Sequence, residues 1–207
     1  MKVILVNGSP HEKGCTYTAL CEIQNTLNKS GIDSEIFWVG NKPISGCMGC
    51  GACKKGLGKC VVEDTVNKFT ELAKTADGFI FGSPVHYAAP SGFITAFMDR
   101  AFYSGGAAMA GKPAAAVVSC RRGGASAAFD VLNKYFTINN MPVVPSQYWN
   151  QVHGSRPEDV LKDEEGLQTM RTLANNMAWL LKCIEAGREK GISFPEREPV
   201  IRTNFIR

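Results

Sequence analysis

Short apolar runs alternate with amphipathic segments along this 207-residue chain, and that alternation limits the possible folds more than any other feature. The apolar runs have the length and continuous hydrophobicity of strands that are buried on both faces. The predicted strands are Lys2–Val6, Ser34–Val39, Gly78–Gly82, Ala114–Cys120 and Pro142–Tyr148. The segments that follow repeat apolar residues at helical spacing, and the predicted helices begin near Thr16, Asp64, Ser91, Ser126 and Leu167.

Strands that alternate with helices in this way predict an α/β fold with a doubly wound, five-stranded parallel sheet and helices on both faces. Right-handed crossovers place every strand-to-helix turn at one edge of such a sheet. Ligands bind at that edge, outside the carboxyl ends of the strands. The turns most important for function are therefore Asn7–Thr16, Ser83–Ser91 and Ser119–Ser126.

The charge balance and the cysteines narrow the function classes. Lys and Arg number 23 against 19 Asp and Glu, an excess too small to predict a nucleic-acid partner. The chain has no apolar run that approaches the length of a bilayer crossing, and its start is better explained as a first strand than as a signal peptide. The 8 cysteines are therefore expected to be reduced thiols of a cytoplasmic protein.

The first turn carries the chemistry of a phosphate site. It holds the hydroxyls of Ser9, Thr16 and Thr18 where a helix begins. The first backbone N–H groups of a helix lack internal partners and carry partial positive charge, which suits a phosphate monoester. The alternative that stays open is an ordinary Ser- and Thr-rich turn in front of a capped helix.

The second turn offers a surface for a planar ligand. Pro84 stiffens the loop, while Val85, His86 and Tyr87 supply apolar and aromatic groups. An aromatic ring lying against them would meet backbone N–H and C=O groups at its polar edge. The alternative is a plain strand-end turn in which Tyr87 packs into the core.

The third turn, Ser119–Gly124, is expected beside the same pocket. Gly123 and Gly124 would permit close approach of the backbone to a ligand. Arg121 or Arg122 would stabilise negative charge there, although two solvated surface arginines are an equally open interpretation.

With these turns placed, the chain resembles the flavodoxin-like NAD(P)H-dependent FMN reductases, and more closely their iron–sulfur flavoprotein branch. The segment GSPHEKGCTYTAL is similar to the phosphate loop G-S-P-R-x-x-G-N-T-x-x-L, and GSPVHYAAPSGFITAFMDR is similar to the G-S-P-V-Y block. His11 replaces the usual Arg, Cys15 the usual Asn or Ser, and His86 the usual aromatic residue. The resemblance extends over roughly residues 1–148.

The resemblance implies a strand order of 2-1-3-4-5 and one FMN-binding domain over residues 1–190, which includes a cysteine-rich loop at 43–62. An extended C-terminal tail is expected over residues 191–207. The residues implied to bind FMN are Ser9, His11, Gly14, Cys15, Thr16, Tyr17, Thr18, Pro84, Val85, His86, Tyr87, Ser119, Arg121, Arg122, Gly123 and Gly124.

The implied reaction carries electrons from NAD(P)H through FMN to a quinone, a nitro or azo compound, a flavin or an iron–sulfur acceptor. FMN would carry the chemistry, so no dedicated catalytic side chain is predicted. A homodimer or homotetramer is expected. Two alternatives stay open: an electron-transfer relay that holds FMN and a cluster, and a sensor whose cysteine loop reports redox state or metal.

Four cysteines form the sharpest local motif, Cys47-x2-Cys50-x2-Cys53-x6-Cys60. Four thiolates are the ligand set of a [4Fe–4S] cluster, and the spacing is similar to the compact motif of iron–sulfur flavoproteins. A four-cysteine zinc site is an alternative. A cysteine-rich loop without metal at a subunit interface is another.

Overall fold

The computed structural model describes residues 1–205. Its strands are β1 (Lys2–Asn7), β2 (Asp33–Trp38), β3 (Gly78–His86), β4 (Ala89–Pro90), β5 (Ala114–Cys120) and β6 (Gln151–His153). Its α-helices are α1 (Cys15–Lys29), α2 (Thr65–Ala73), α3 (Gly92–Met109), α4 (Ala125–Ile138), α5 (Pro157–Val160) and α6 (Glu164–Glu189), and a short 3-10 helix spans Ala52–Lys54.

The main sheet has the predicted doubly wound topology. Its neighbouring strands run in the order β2-β1-β3-β5-β6 and pair in parallel. Counting only these parallel strands, the order is 2-1-3-4-5, as predicted. The two-residue strand β4 is additional, and it pairs antiparallel with the end of β3. The order reverses between β1 and β3, which fixes where the ligand crevice of such a sheet lies.

The last strand was predicted at the wrong place. Pro142–Tyr148 contributes a single bridge, between Val143 and Ala114, and the strand that pairs with β5 is Gln151–His153. Two prolines interrupt the predicted segment, and proline lacks the N–H that a ladder needs. Asn150 brings the chain back to the sheet, since its side chain donates to the Ala116 carbonyl and its own carbonyl accepts from the Val118 amide.

The helices follow the apolar pattern, with one extension. Helix α2 begins where predicted, because the Asp64 carboxylate accepts a hydrogen bond from the Val66 amide. Helix α3 continues to Met109, beyond the predicted end near Tyr103. Two glycines allow that extension. A Cβ on Gly105 would lie 2.6 Å from the side chain of Thr70 in α2, and one on Gly106 would lie 2.8 Å from Asn139.

Two apolar layers enclose the sheet. Helices α2, α3 and α4 cover one face, where buried phenylalanines from strands and helices are in mutual contact, and α1 and α6 cover the other. Each fully buried phenylalanine of this kind stabilises the fold by about 1.5–3 kcal/mol. The packing fixes the carboxyl ends of β1, β3 and β5 side by side, and this edge carries the candidate site.

Helix α6 is followed by a segment without helix or strand as far as residue 205. The Phe194 ring lies on Gly111, where a Cβ would come within 3.1 Å of it. The last two residues of the predicted tail, 206–207, lie outside the described residues. Within residues 1–205, none of the helices combines the length and hydropathy that a membrane crossing requires.

Candidate functional site

A cleft of about 560 Å³ opens at the carboxyl edge of the sheet, where β1, β3 and β5 end. Four strand-to-helix turns contribute to its walls. The residues that line it are Ser9, His11, Lys13, Gly14, Cys15, Thr16, Pro84, Val85, Ser119, Cys120, Arg121, Gly154, Ser155, Arg156 and Pro157. The three turns singled out in the sequence therefore meet at one place.

Internal hydrogen bonds hold the first turn in shape. The Asn7 side chain accepts from the Ser9 amide at 3.1 Å and donates to the Glu12 carbonyl at 2.8 Å. The Ser9 hydroxyl oxygen accepts from the His11 amide at 3.1 Å, and Trp38 at the end of β2 donates to the Ser9 carbonyl at 2.9 Å. These hydrogen bonds, all made within the protein, fix the conformation of the loop.

The N-terminus of α1 points donors into the cleft. Gly14 is the N-cap residue, and no side chain caps this helix. Its first amides therefore lack a side-chain acceptor, unlike those of α2 and α3, which Asp64 and Ser91 cap. Such an end attracts an anion.

A buried pair of hydroxyls lies at the same helix end. The Oγ1 of Thr16 and the Oγ of Ser119 are 2.8 Å apart, and both residues are at most 3% exposed. One hydroxyl donates to the other, so one proton of the pair remains to bind a further acceptor. This contact also joins α1 to the end of β5.

The cleft is electropositive. Lys13, Arg121 and Arg156 line it, and its lining contains no carboxylate. A cleft with one sign of charge concentrates ligands of the opposite sign. The arrangement therefore favours an anionic ligand.

Two thiols also border the cleft. Burial raises the pKa of Cys15 and of Cys120 above the ordinary thiol value. The Cys15 sulfur lies 3.6 Å from the Gly154 carbonyl, and the Cys120 sulfur lies 3.6 Å from the Arg122 carbonyl. At neutral pH both are protonated, weakly nucleophilic groups.

A tight hairpin forms the lip of the cleft after β3. Tyr87 and Ala88 occupy the two turn positions with φ of 50° and 59°, a left-handed conformation that favours glycine or asparagine and stores strain. Ala88 packs on Gly124, where a Cβ would lie 2.6 Å from the Ala88 Cα. Gly124 itself has a φ of 89°, so this position needs glycine for both conformation and space.

Nine of the sixteen residues expected to bind FMN line the cleft: Ser9, His11, Gly14, Cys15, Thr16, Pro84, Val85, Ser119 and Arg121. Seven others do not line it: Tyr17, Thr18, His86, Tyr87, Arg122, Gly123 and Gly124. The Thr18 hydroxyl donates to the Gly14 carbonyl. Tyr87 is fully exposed and does not pack into the core, which was the alternative considered for it.

Sequence reasoning missed the turn after β6. Gly154, Ser155, Arg156 and Pro157 form one side of the cleft. Because the last strand was predicted too early in the chain, its following turn was not placed at the functional edge. Lys13 was also missed, since it lies in the first turn but outside the recognised pattern.

A larger cavity of about 760 Å³ lies at the opposite edge of the sheet. It is lined by residues that precede the strands, such as Asp77 and Pro113, and by the segment around Phe194. Burial lowers the pKa of Lys112 in its wall. The cavity lacks the converging donors of the cleft and lies away from the carboxyl edge, so the cleft is the candidate site.

The cysteine motif does not form a preassembled metal site. Cys47 and Cys50 are exposed, whereas Cys53 and Cys60 are partly buried. Within residues 1–205, no three His, Cys, Asp or Glu side chains converge as a metal-binding group. Four thiolates have the right donor chemistry for iron or zinc, but their arrangement here does not fit the ligand shell of a cluster.

Comparison with known proteins agrees with the fold and identifies the family. Residues 1–155 match the family model of the NADPH-dependent FMN reductases. An iron–sulfur flavoprotein of Methanocaldococcus jannaschii is 33% identical over 193 residues, which cover 89% of this chain and 100% of that protein.

Two solved structures show the fold. A flavodoxin from the domain Archaea superposes with a TM-score of 0.60 at 17% identity and covers 88% of this chain and 99% of its own. RosB, solved with a bound 8-demethyl-8-formylriboflavin-5'-phosphate intermediate, superposes with a TM-score of 0.69 at 14% identity, covering 100% of this chain and 96% of its own.

Proposed function

The chain belongs to the NADPH-dependent FMN reductase family, in the iron–sulfur flavoprotein branch, and from this premise we propose that it binds FMN in the carboxyl-edge cleft and passes electrons from NAD(P)H through the flavin to a second acceptor. The acceptor classes are a quinone, a nitro or azo compound, a free flavin or an iron–sulfur centre. Bound FMN supplies the hydride chemistry. The chain contributes binding, orientation and electrostatics.

The observation that carries this proposal is the uncapped N-terminus of α1 beside the Thr16–Ser119 hydroxyl pair. Amides without a side-chain cap and a hydroxyl with a proton to donate match the oxygens of a phosphate monoester. We assign the FMN phosphate to this end of the cleft, with Ser9 and Gly14 on the loop in front of it. Arg121 and Lys13 add positive charge from the walls.

The flavin ring is assigned to the other wall. Pro84 and Val85 form an apolar surface at the end of β3, and the hairpin that follows is fixed by the contact between Ala88 and Gly124. A rigid apolar wall orients a planar ring without ordering flexible side chains on binding. We propose that His86, Tyr87, Arg122 and Gly123 border the ring from the rim.

Anaerobic purification followed by an absorption spectrum tests the proposal. We expect the bands of bound flavin, near one FMN per chain, and rapid bleaching on addition of NADPH or NADH. Thr16→Val should lose flavin. Thr26→Val is a matched control, since Thr26 lies on the same helix and its hydroxyl donates only to the Glu22 carbonyl one turn earlier. A wild-type chain that takes up no FMN would overturn the proposal.

A second candidate function is an electron relay that holds both FMN and an iron–sulfur centre. Its support is the name of the Methanocaldococcus jannaschii relative, an iron–sulfur flavoprotein, together with the motif Cys47, Cys50, Cys53 and Cys60. The open arrangement of these cysteines does not define an electron route to the flavin. Iron and FMN per chain, measured together on anaerobic protein, separate the relay from a simple reductase.

We further propose a cytoplasmic location and a homodimeric or homotetrameric state. A reducing compartment suits a chain whose eight cysteines are all unpaired. Sedimentation analysis of the FMN-loaded protein tests the assembly, with a monomer as the contradicting result.

A further inference from the structure

A small pocket of about 190 Å³ lies between β6 and the first turns of helix α6. It shares no lining residue with the cleft. Its walls come from the chain before β6, from the strand itself and from the start of α6. Among the residues that line this β6–α6 pocket are Tyr148, Trp149, His153, Asp163, Glu165 and Thr169. The space would hold about six water molecules, which limits it to a small ligand.

Two aromatic side chains in mutual contact supply the apolar surface of the pocket. The ring centroids of Tyr148 and Trp149 lie 4.8 Å apart, and the ring planes are inclined by 57°. The two residues are 53% and 52% exposed. Half-exposed aromatic rings that touch each other form a contiguous apolar surface, which is a frequent feature of binding sites.

Hydrogen bonds on both sides hold the aromatic pair in place. On one side, the Gln147 side chain donates to Gln168 of α6 at 2.9 Å and accepts from the Thr172 hydroxyl. On the other side, the Asn150 side chain donates to the Ala116 carbonyl of β5 at 3.0 Å. The neighbours in sequence therefore fix the position of the two rings, and the exposed parts of the rings are available to a ligand.

Two carboxylates give the pocket negative charge. Asp163 and Glu165 line it, and within residues 1–205 its lining contains no lysine or arginine. The Asp163 carboxylate accepts from the amides of His153 and Gly166 at 2.6 and 2.9 Å, so it is firmly held. The Glu165 side chain forms no ion pair or hydrogen bond with another described residue. The pocket thus has the opposite sign of charge to the cleft and favours a cation.

A buried hydroxyl without a partner also belongs to the pocket. Thr169 is 2% exposed and lines the pocket. In the part of the chain that the structure describes, its hydroxyl forms no hydrogen bond, unlike the hydroxyl of Thr172 on the same helix. A buried polar group without a partner is unfavourable, and the pocket is the open space beside it. A hydrogen-bonding ligand in the pocket would supply the missing partner.

We propose that the β6–α6 pocket binds a small primary alkylammonium ion. The three N–H donors of such an ion match the oxygens of Asp163, Glu165 and Thr169. Its alkyl group matches the surface of Tyr148 and Trp149, whose π-faces also attract a cation. A sugar or another neutral polyol would use the rings and the hydroxyl, but it would not compensate the charge of the two carboxylates. The site does not depend on the proposed function of the cleft.

Calorimetric titration of the full-length protein with n-butylammonium chloride tests the proposal. n-Butanol and sodium butyrate are the matched probes, because they share the alkyl chain but are neutral and negatively charged. The titrations are run at pH 8 and low ionic strength, since salt screens exposed charges. The variants are Glu165→Gln, Thr169→Val and Trp149→Leu. Glu164→Gln is the control, because Glu164 lies in the same helical turn and does not line the pocket.

We expect one n-butylammonium ion per chain with a Kd of about 1–10 mM, and no saturable binding of butanol or butyrate. Glu165→Gln and Trp149→Leu should each raise this Kd about 2- to 5-fold, and Glu164→Gln should leave it unchanged. Thr169→Val should also weaken binding, whereas its urea midpoint should equal or exceed that of the wild type, because the deleted hydroxyl has no partner in the protein. Absence of saturable n-butylammonium binding, or equal binding of butyrate, would overturn the inference.

Two further measurements exclude other occupants of the pocket. A lysine side chain of a second copy has the same chemistry as the probe, so a change of Glu165→Gln to a smaller species in sedimentation would overturn the assignment to a free ligand. Binding of glucose in preference to n-butylammonium would overturn it in favour of a polyol. FMN per chain should be the same in all these variants, since the pocket and the cleft share no lining residue.

Discussion

Removal of one hydroxyl from the cleft should weaken FMN binding by a predictable amount. Thr16→Val keeps the shape of the side chain and deletes the oxygen that lies 2.8 Å from the Ser119 hydroxyl. A hydrogen bond to a charged group contributes about 1.5–3 kcal/mol, so loss of the bond to phosphate should raise the Kd for FMN by about 10- to 150-fold.

The same substitution also affects the protein without ligand. Ser119 is 3% exposed, and its hydroxyl would lose its partner on α1. A buried polar group left unpaired costs about 1–3 kcal/mol. The apoprotein should therefore unfold at a lower urea concentration, and this loss is measured separately from the Kd.

Fluorescence titration of apoprotein with FMN measures the predicted change. Thr16→Ser retains the hydroxyl and should bind FMN within a fewfold of wild type, while Thr26→Val controls for loss of a threonine hydroxyl elsewhere in α1. A Thr16→Val protein with a wild-type Kd would refute the assignment of the phosphate to this helix end.

Three further outcomes are expected. Gly82→Ala should destabilise the fold by about 1–3 kcal/mol in urea unfolding and weaken FMN binding, because its Cβ would lie 2.8 Å from the side chain of Thr16. An unchanged free energy of unfolding would contradict this packing. Gly124→Ala should destabilise by a similar or larger amount through its left-handed backbone and its contact with the hairpin, with Gly123→Ala as the control that meets nothing. Alkylation at pH 8, followed by mass spectrometry, should modify Cys15 and Cys120 more slowly than exposed Cys183. The reason is that burial raises the pKa of both cleft thiols and thereby lowers their thiolate fraction. Equal rates of modification would show that the two thiols are more accessible than the structure indicates.

The sheet was predictable because its signal is local. In a chain of this size, a continuous apolar run such as Gly78–Gly82 indicates a buried strand. The helices between such runs leave few possible sheet topologies. The last strand lacks that signal. Gln151–His153 contains one apolar residue, and its position depends on hydrogen bonds between Asn150 and β5, which no local pattern reveals.

The residues at the carboxyl edge of the sheet were predictable wherever the strand before each turn was placed correctly. Turns after correctly placed strands brought Ser9, Thr16, Pro84 and Ser119 to one cleft. The turn after β6 was missed together with its strand. Where the predicted helix α3 ended too early, the cause was close packing of Gly105 and Gly106, which requires knowledge of the neighbouring helices.

The cysteine motif shows a different limit. Spacing identified the four thiols and their shared chemistry, but it treated them as equivalent. The structure distinguishes Cys60, which Arg100 and Asn67 hold, from Cys47 and Cys50, which are exposed. Arg100 lies 40 residues from Cys60 in sequence, and a buried arginine in a helix carries no pattern that points to its partner.

The comparison of FMN with riboflavin tests the central claim most directly, because the two ligands differ only in the phosphate. If the N-terminus of α1 and the Thr16–Ser119 pair bind that phosphate, the apoprotein should bind FMN at least about 100-fold more tightly than riboflavin, since two charge-assisted hydrogen bonds contribute about 3–6 kcal/mol together. Thr16→Val should reduce the ratio between the affinity for FMN and the affinity for riboflavin. Equal affinities of the wild-type apoprotein for FMN and riboflavin would contradict the account.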